Sequence, residues 1–587
     1  MHAIRPPRRR LLPSRSLAFL GLALLAGCGP SAKPAVDSPP QASSASEAPV
    51  ASPPPAAPSP KPAPAAPYET TFLELGADIG LDFTYASGAR GQLLMVEAMG
   101  GGAGWLDVDG DQLWDLYLPQ GGDPVAGPNA SQPNDRLFRL TRDRHFVDIT
   151  DQAFIDERFY SQGVTIADFD ADGFDDIYVA NVGRNTLWQN QGDGTFRDVS
   201  ASAGVGDERW SVSCAWADLD GDDDLDLYVG NYCVYDPRNP IDCTKNGAPH
   251  ICHPIDVEGA PDECYLNQGD GTFRAAARER GLFGKDNRAL GVVAADFDND
   301  GDIDLYVAND MAANFLFVND GQGKFQESAV LLGCAYDRNG NAQASMGLAC
   351  GDFDANGFLD LYSTHFQFDS NTLYQNLGSA GFQDVTGIMG LHGPTLPMLG
   401  FGTVMLDLDR DGQVELVIAN GHIEPTIVQS QTVFEMPAQL FRYNGKRFEE
   451  VSQQAGAFFQ KKLLGRGIAA CDFDDDGDLD LCYVPQNASA ALLRNEAAKH
   501  HWIAFRLRGA GLNRRAINAR VTVECGGRQW MQELCGGTSY ASSQQPILFF
   551  GLGDASAPVS ATIRWPNGRE QRLENLPLNQ KHEVSAP

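Results

Sequence analysis

The sequence of 587 residues predicts an all-β protein whose main part is a seven-bladed β-propeller. Three observations predict this fold. An acidic motif recurs seven times, a strand that begins with phenylalanine also recurs seven times, and the two series are offset along the chain. A ring of sheets fits all three, because each repeat supplies one sheet and the offset closes the ring.

The acidic motif has the form DFDADGFDD, with carboxylates at positions 1, 3, 5 and 9. Small and apolar residues precede each copy and a short apolar run such as DIYV follows, so each copy is predicted to be a loop joining two buried strands. The residues at these positions are Asp107, Asp109, Asp111 and Asp115; Asp168, Asp170, Asp172 and Asp176; Asp218, Asp220, Asp222 and Asp226; Asp296, Asp298, Asp300 and Asp304; Asp352, Asp354, Asn356 and Asp360; Asp407, Asp409, Asp411 and Glu415; and Asp472, Asp474, Asp476 and Asp480.

The second repeated element is a turn, often Asp-Gly, that leads into a short alternating strand, a pattern typical of hairpins. The chain starts this series before its first acidic loop and has no such strand after its last one. We therefore predict that the N-terminal strand completes the last blade and removes the exposed sheet edges. An open β-solenoid is the alternative. The strands begin at Phe72, Phe146, Phe196, Phe273, Phe325, Phe382 and Phe448.

Each acidic loop is predicted to bind a cation. Alternation places positions 1, 3 and 5 on one side and the apolar position 2 on the other. Four carboxylates ~5 Å apart repel each other by ~5 to 20 kcal/mol in total, against a typical folding stability of ~5 to 15 kcal/mol. Oxygen ligands in a flexible loop favour Ca²⁺ over Mg²⁺. We predict up to seven Ca²⁺ ions, held by the side chains at positions 1, 3, 5 and 9 and a backbone carbonyl at position 7.

The copies differ in detail. Five carry Gly at position 6, which permits the positive φ of a tight turn, whereas Gln112 and Asp223 stand there in two others. Asn356 and Glu415 replace aspartates, so the affinities of the loops are expected to differ. An EF-hand needs a Glu at position 12 and flanking helices, and the sequence predicts neither. A sugar-binding or solvated acidic loop is the alternative to a metal site.

The N-terminal region is predicted to direct export. Arginines precede the apolar run LAFLGLALLAG in residues 1–28, which is too short to span a membrane. This signal peptide ends in Leu-Ala-Gly-Cys, which resembles the bacterial lipobox and implies that Cys28 is the lipid attachment site. An ordinary signal peptide is the alternative. Residues 29–67 are rich in Pro and Ala and predict a disordered linker. We expect an outer-membrane or cell-surface lipoprotein of a bacterium, or one that faces the periplasm.

The propeller is predicted over residues 68–498 and a second domain over 499–587. In the second region six short predicted strands, separated by Gly and Asn-Gly turns, indicate a small β-sandwich-like domain.

The formal net charge of −33 argues against nucleic acid and against anionic membrane surfaces as partners.

These motifs also resemble known families. The acidic loops together with GDGTF resemble the FG-GAP/VCBS repeats of integrin-α-like propellers, which implies structural Ca²⁺ at each loop. The stretches EAMGGGAGWLDVDGD and ANGHIEP are similar to bacterial proteins of the cartilage acidic protein (CRTAC1) type. LNRRAINARVTVECGGR, GGTSYASSQ and IRWPNGREQRLENL resemble the ASPIC/UnbV domain that follows the propeller in that family. The resemblance implies a domain order but no reaction.

The twelve cysteines of an exported chain favour disulfides. Cys525 and Cys535 flank a predicted hairpin, and Cys334 and Cys350 are close in sequence. The cysteines of one insertion allow three pairings, with a metal site that includes His250 and His253 as the alternative, and Cys214 is the candidate buried free thiol. The insertion contains Cys233, Cys243, Cys252 and Cys264.

No catalytic residue is predicted. His365 and His422 fall near predicted blade ends, where a hydrogen-bonded loop histidine is the simpler interpretation. The sequence has no GxSxG, no HExxH and no phosphate-binding loop. The leading hypothesis is a calcium-binding, surface-tethered propeller that binds an extracellular or periplasmic protein or glycan and mediates adhesion. The alternative is a hydrolase or lyase with a pocket at the propeller axis.

Overall fold

The structure is a computed structural model that describes residues 71–587, except 130, 246, 285, 426–432, 498–499 and 556–557. The predicted signal peptide, Cys28 and the linker lie outside the described residues. The chain divides into two units, Met1–Pro64 and Ala65–Pro587, and every described residue belongs to the second. Within the described residues, no helix is both long and apolar enough to cross a membrane.

Seven four-stranded antiparallel sheets dominate the described residues before 496. Their strands, with three short extra ones, are β1 Phe72–Leu75, β2 Gly104–Leu106, β3 Asp115–Leu118, β4 Arg136–Leu140, β5 Phe146–Asp148, β6 Tyr160–Ala167, β7 Asp176–Val182, β8 Thr186–Asn190, β9 Phe196–Asp198, β10 Ser211–Ala217, β11 Asp226–Asn231, β12 Thr244–Lys245, β13 Ala248–Pro249, β14 Glu263–Asn267, β15 Phe273–Ala275, β16 Ala289–Ala295, β17 Asp304–Ala312, β18 Phe315–Asn319, β19 Phe325–Glu327, β20 Gln343–Ala344, β21 Leu348–Gly351, β22 Asp360–Ser363, β23 Thr372–Asn376, β24 Phe382–Asp384, β25 Gly400–Leu406, β26 Glu415–Asn420, β27 Gln439–Tyr443, β28 Phe448–Glu450, β29 Gly465–Cys471, β30 Asp480–Pro485 and β31 Ala491–Asn495.

We number the sheets 1 to 7 along the chain. They comprise β2–β5, β6–β9, β10 with β11, β14 and β15, β16–β19, β21–β24, β25–β28, and β29–β31 with β1. The extra strand β20 pairs with β17, and β12 with β13 forms a small hairpin inside the insertion. The few helices are short: α1 Ser200–Ala203, α2 Ala277–Arg280, α3 Ala329–Leu332 and α4 His392–Thr395, with 3-10 turns at Ala77–Ile79, Met95–Ala98, Pro254–Asp256, Gly378–Ala380 and Ala457–Gln460.

The seven sheets form a closed ring. The first strand of each sheet contacts the first strand of the next, and β29 of sheet 7 contacts β2 of sheet 1. The N-terminal strand β1 pairs with β31, with Phe72 opposite Asn495, so the two ends of this region share one sheet. The predicted β-propeller is therefore confirmed, including the closure by the strand around Phe72.

The repeated phenylalanines hold neighbouring sheets together. Each of the seven predicted residues begins the fourth strand of its sheet. Phe273, for example, packs against Phe169 and Trp216 of the adjacent acidic loop and first strand, with ring centroids 5.8 and 6.0 Å away. The apolar residue at position 2 of each acidic loop is also buried in these contacts, as predicted. Such aromatic contacts bury a large apolar area where neighbouring sheets meet.

The C-terminal residues form two packed sheets, as predicted. The strands are β32 His501–Arg508, β33 Arg520–Cys525, β34 Arg528–Glu533, β35 Leu548–Gly553, β36 Val559–Arg564, β37 Glu570–Leu576 and β38 Lys581–Ser585. One sheet has the order β35-β32-β38 and the other β34-β33-β36-β37. Their shared core includes Phe505, Phe550 and Trp565. Strand β38, which sequence reasoning missed, pairs parallel with β32.

Candidate metal loops and the domain that covers them

Each acidic loop connects the first and second strands of one sheet and brings its carboxylates together. In loops 1 to 5, numbered by sheet, three carboxylate oxygens from three residues lie within 4.8 Å of one another. The groups are Asp107, Asp109 and Asp111; Asp168, Asp170 and Asp176; Asp218, Asp220 and Asp222; Asp296, Asp298 and Asp300; and Asp352, Asp354 and Asp360. Three of the four predicted positions therefore converge in each of these loops: positions 1, 3 and 5 in loops 1, 3 and 4, and positions 1, 3 and 9 in loops 2 and 5.

The backbone of every loop has the same two left-handed positions. Position 6 has positive φ in all seven loops, including 70° at Gln112 and 74° at Asp223, where the residue is not glycine. Position 4 also has positive φ throughout, which the sequence did not reveal because Ala171 and Arg410 stand there in two copies. The position 6 amide donates to Oδ2 of the position 1 aspartate at 2.9 to 3.2 Å. These turns aim the carboxylates inward.

The carboxylates at positions 1 and 9 are buried or half-buried, whereas those at positions 3 and 5 are exposed in several loops. Burial raises the pKa of Asp168 to about 7 and those of Asp218 and Asp352 to about 6. Several buried carboxylate oxygens in the described loops also have no hydrogen-bond partner, namely Asp107 Oδ1, Asp220 Oδ1, Asp296 Oδ1, Asp407 Oδ1, Glu415 Oε1 and Asp474 Oδ1. An unpartnered buried carboxylate oxygen is costly, and a bound cation would remove that cost. The donor set therefore fits a hard cation such as Ca²⁺.

The carboxylate at position 9 has a second role that the sequence did not show. Asp176 accepts the amide of Phe169 at 3.1 Å and the amide of Asn190 at 2.8 Å, and so ties its own loop to the third strand. The Asn190 side chain then donates to the carbonyl oxygen of Val108 in the preceding loop at 3.0 Å. Position 9 thus joins strands while remaining within reach of the cluster.

Asn190 has counterparts in four other sheets, where each donates to the position 2 carbonyl of the preceding loop. These are Asn267, Asn319, Asn376 and Asn495. The recurrent Asn before the turns in NQGDG, NDGQG and NLGSAG is the signal that could have revealed this link.

The C-terminal domain covers the acidic loops with basic side chains. Arg506 contacts Asp107 at 3.3 Å, Arg515 contacts Asp175 at 2.7 Å, and Lys581 contacts Asp472 at 3.3 Å. Both Arg520 and Arg564 reach Asp296. Residues 500–587 contain ten Lys and Arg against six Asp and Glu, in a chain of net charge −33. This reversal of charge could have indicated the interface from sequence.

One segment of the C-terminal domain occupies the axis of the propeller. Residues 536–545, which include the motif GGTSYASSQ, contact the first strand of all seven sheets in the described structure. The contacts are Gly536 with Ala294, Ser539 with Leu348, Tyr540 with Phe401, Ala541 with Val164 and Ser213, Ser543 with Trp105, and Gln545 with Ala470. Only a segment on the ring axis can reach seven inner strands, so this motif is an axial plug.

At the inner end of the plug, Tyr540 is fully buried beside Phe401, with ring centroids 5.1 Å apart. Arg466 is also fully buried and stacks over Phe401 at 3.9 Å from the ring centroid. Its guanidinium donates to the carbonyl oxygens of Ala98, Gly421 and Gly465. Burial lowers the pKa of Arg466 to about 10, so it stays charged at neutral pH. Arg466 therefore packs against Phe401, the ring that the plug residue Tyr540 also contacts.

The two candidate histidines lie beyond the ends of the second strands, away from the acidic loops. His365 is fully buried and neither ring nitrogen has a hydrogen-bond partner among the described residues. His422 Nδ1 accepts the amide of Glu424 at 3.0 Å. Burial lowers the pKa of His365 to about 3 and that of His422 to about 4, so both are neutral. His422 thus agrees with the simpler interpretation of a hydrogen-bonded loop histidine, whereas His365 is buried without such a bond to its ring among the described residues.

The described residues contain one disulfide, Cys243–Cys252, in the insertion of sheet 3. Each of the three pairings that the sequence allowed joins all four cysteines of the insertion in two bonds; the described residues contain only this bond, with Cys233 and Cys264 buried and outside any disulfide. Cys214 is buried and outside any disulfide, as predicted.

Comparison with protein families agrees with this architecture. The family described as FG-GAP-like repeat matches residues 168–229, 256–307, 296–363 and 352–418, and the family described as ASPIC and UnbV matches residues 509–587. The chain is an FG-GAP repeat protein with a C-terminal ASPIC/UnbV domain. The plug and the basic interface described above belong to that second domain.

Curated relatives of this FG-GAP repeat protein include cartilage acidic protein 1 of Homo sapiens, which is 25% identical over 322 residues, covering 53% of this chain and 46% of the human protein. The Xenopus tropicalis protein of the same name is 24% identical over 338 residues, covering 55% of this chain and 48% of that protein. The chain matches about half the length of these relatives. Over the matched region the chain is similar to cartilage acidic protein 1.

Solved structures with some similarity include an Agrocybe aegerita lectin that recognises non-reducing terminal N-acetylglucosamine, with a TM-score of 0.36 and 17% identity over 60% of this chain and 79% of the lectin. The exotype rhamnogalacturonan lyase YesX has a TM-score of 0.28 and 11% identity over 73% of this chain and 89% of the lyase. Similarities this weak say nothing about the ligand of the FG-GAP repeat protein.

Proposed function

We propose that this protein is a calcium-binding, surface-tethered bacterial lipoprotein whose propeller binds a protein or a carbohydrate outside the cytoplasm. The observation that carries the calcium assignment is the recurrence of one carboxylate cluster, with buried oxygens that have no hydrogen-bond partner. The side chains at positions 1, 3, 5 and 9 would hold the ions. Bound Ca²⁺ would supply positive charge where burial alone penalises the ionised carboxylates.

The binding hypothesis agrees better with the axis than the enzyme alternative does. The alternative requires an open pocket on the propeller axis, but the chain's own residues 536–545 lie there, and the cavity of about 490 Å³ beside them is lined on one side by the C-terminal domain. We therefore place ligand binding on surfaces away from the axis. The insertion of sheet 3 is one such surface, since Val234 and Ile255 are 57% and 59% exposed there beside the Cys243–Cys252 disulfide.

Calcium binding is tested by thermal unfolding of the full chain in Ca²⁺, in EGTA, and in EGTA with excess Mg²⁺. A ligand that binds only the folded state stabilises it by about 2.7 kcal/mol per site at one hundred times its Kd. We expect chelation to lower the melting temperature markedly and Mg²⁺ to restore little of the loss. An unchanged melting curve in EGTA would exclude calcium as a structural ligand.

The tether and the partner are tested separately from the metal. Cys28→Ser should move the protein from the membrane fraction to the soluble exported fraction, and continued membrane association would overturn the lipid anchor. Affinity capture from cell-surface extracts and a glycan array, each with Ca²⁺ or EGTA, tests ligand binding. A glycan or protein retained specifically in Ca²⁺ is expected, and failure to retain either contradicts the binding function.

A further inference from the structure

Two cysteines meet at the interface between the propeller and the C-terminal domain. Cys350 lies on β21, the first strand of sheet 5, and Cys535 follows β34. Both side chains pack against the same core cluster and line the same cavity. A hydrogen bond with the Cys535 side chain is the largest cause that raises the pKa of Cys350. The two cysteines belong to different domains, so a bond between them would join the domains covalently.

Backbone hydrogen bonds fix the relative position of the two thiols. Leu348 and Ser539 exchange hydrogen bonds at 2.9 and 2.6 Å, two residues before Cys350. Gly536, next to Cys535, exchanges hydrogen bonds with Ala294 at 2.9 and 2.6 Å. A Cβ at Gly536 would lie 2.0 Å from the carbonyl oxygen of Trp216, so the chain beside Cys535 is held tightly against sheet 3.

These two thiols are also the accessible ones. Among the described cysteines outside the Cys243–Cys252 disulfide, all are buried except Cys350 and Cys535, which are partly exposed. Both line a cavity of about 490 Å³ between the C-terminal domain and the propeller. A small oxidant therefore has a route to this pair that it lacks for the buried thiols.

We propose that Cys350 and Cys535 form a disulfide that locks the C-terminal domain onto the propeller. A small oxidised disulfide, such as glutathione disulfide, supplies the oxidising equivalents. One cysteine thiolate attacks the donor, whose S–S bond breaks and releases one thiolate. The other cysteine thiolate attacks the mixed disulfide, forms the Cys350–Cys535 bond and releases the second donor thiolate. The protein loses two protons and two electrons, and the donor becomes two thiols.

The pairing differs from those that sequence proximity favoured. Cys525 lies in the core of the C-terminal domain, whereas Cys535 packs against the core that involves sheet 5. Cys334 is fully buried in that same core. Spacing along the chain could not reveal Cys350 as the partner of Cys535, because the contact depends on how the two domains dock.

A tryptic map of the exported full-length protein, alkylated without reductant, separates the possible pairings. Trypsin places Cys350 in the peptide 339–410, Cys535 in 529–564, Cys525 in 521–528 and Cys334 in 325–338. We expect 339–410 joined to 529–564, with a mass about 2 Da below the sum of the two reduced peptides because two hydrogens are lost. Joining of 529–564 to 521–528, joining of 325–338 to 339–410, or alkylation of both thiols would overturn the proposal.

Single variants test whether the bond stabilises the docked domain. The oxidised wild-type chain should lose more of its melting temperature on addition of a reductant than Cys350→Ser or Cys535→Ser does. Every variant retains Cys243–Cys252, which supplies the common background response to the reductant. The double variant should behave like either single one, and an equal reductant response in wild type and variants would contradict the lock.

Discussion

Acidic loops 4 and 5 share one sequence pattern but differ in how their charge is balanced. In loop 4, Asp296 is paired with Arg520 and Arg564 of the C-terminal domain. In loop 5, Asp352 accepts backbone amides of its own loop, including those of Gly357 and Asn356, and the described residues give it no ion pair. The comparison teaches that the motif sets the geometry of a cation site, whereas domain docking decides how much positive charge the protein itself supplies.

The carboxylate at position 9 should matter equally in both loops. Asp304→Asn and Asp360→Asn each put an amide group opposite a buried backbone amide, since each aspartate accepts from position 2 and from the third strand. We expect each to lower the free energy of unfolding by about 3 kcal/mol in EGTA. Urea titrations check this, and a difference above about 1 kcal/mol between the variants would show that position 9 is not a common strand link.

The carboxylate at position 1 should distinguish the loops. In EGTA, Asp296→Asn removes the carboxylate that contacts Arg564 and leaves Arg520 with Glu533 as its charged partner, and it should cost about 3 kcal/mol. Asp352→Asn puts its amide group opposite backbone amides that are exposed or half-buried, and it also removes a repulsive charge, so it should change the free energy of unfolding by less than about 1 kcal/mol. Equal losses in the two variants, measured by urea titration, would refute the difference in charge balance.

The pH dependence of stability tests the end of sheet 5 that lies opposite its acidic loop, where His365 is buried. The pKa of His365 is about 3 in the folded protein, well below its unfolded value, so the unfolded chain gains a proton first as the pH falls. From pH 7 to pH 5 this should cost about 2 kcal/mol of stability, all of it present again above pH 7. His365→Gln should remove that part of the pH dependence.

The exposed His392 supplies the matched control for this test. His392→Gln should leave the pH dependence of the urea midpoint as it is in the wild-type chain. If His365→Gln has no more effect than His392→Gln, the buried imidazole does not control stability in this pH range.

The link between the two compared loops should give the smallest effect. The Asn376 side chain donates to the carbonyl oxygen of Phe297 in loop 4 at 2.7 Å and to that of Leu359 in loop 5 at 3.0 Å. Asn376→Ala should cost about 1 to 2 kcal/mol in a urea titration. The exposed Gln383→Ala on the same sheet should cost almost nothing, and an equal loss in both would contradict the link.

The repeats made much of the fold predictable. The phenylalanine series predicted the start of the fourth strand in every sheet, because a local pattern determines each strand. The offset between the two series identified β1 as the strand that completes sheet 7, because that closure removes free sheet edges. The convergence of the acidic side chains followed from the same alternation. These features depend on contacts within one repeat or between neighbouring repeats.

The docking of the C-terminal domain was not predictable in the same way. The axial position of Tyr540, the contacts of Arg564 and Lys581 with the acidic loops, and the meeting of Cys350 with Cys535 join residues far apart in sequence. No periodic pattern encodes such contacts. The excess of basic residues after 500 was the available signal, and it indicates an acidic partner surface without saying which loops it covers.

Native mass spectrometry of the full chain, stripped with a chelator and titrated with Ca²⁺, tests most directly whether the acidic loops are calcium sites. We expect the wild-type chain to take up Ca²⁺ in steps, with at most one ion for each of its seven loops. Asp352→Asn should take up one ion fewer, because it removes a charged ligand from loop 5, where the described residues supply Asp352 with no ion pair. A wild-type chain that binds no Ca²⁺, or an Asp352→Asn variant that binds as many ions as wild type, would contradict the assignment.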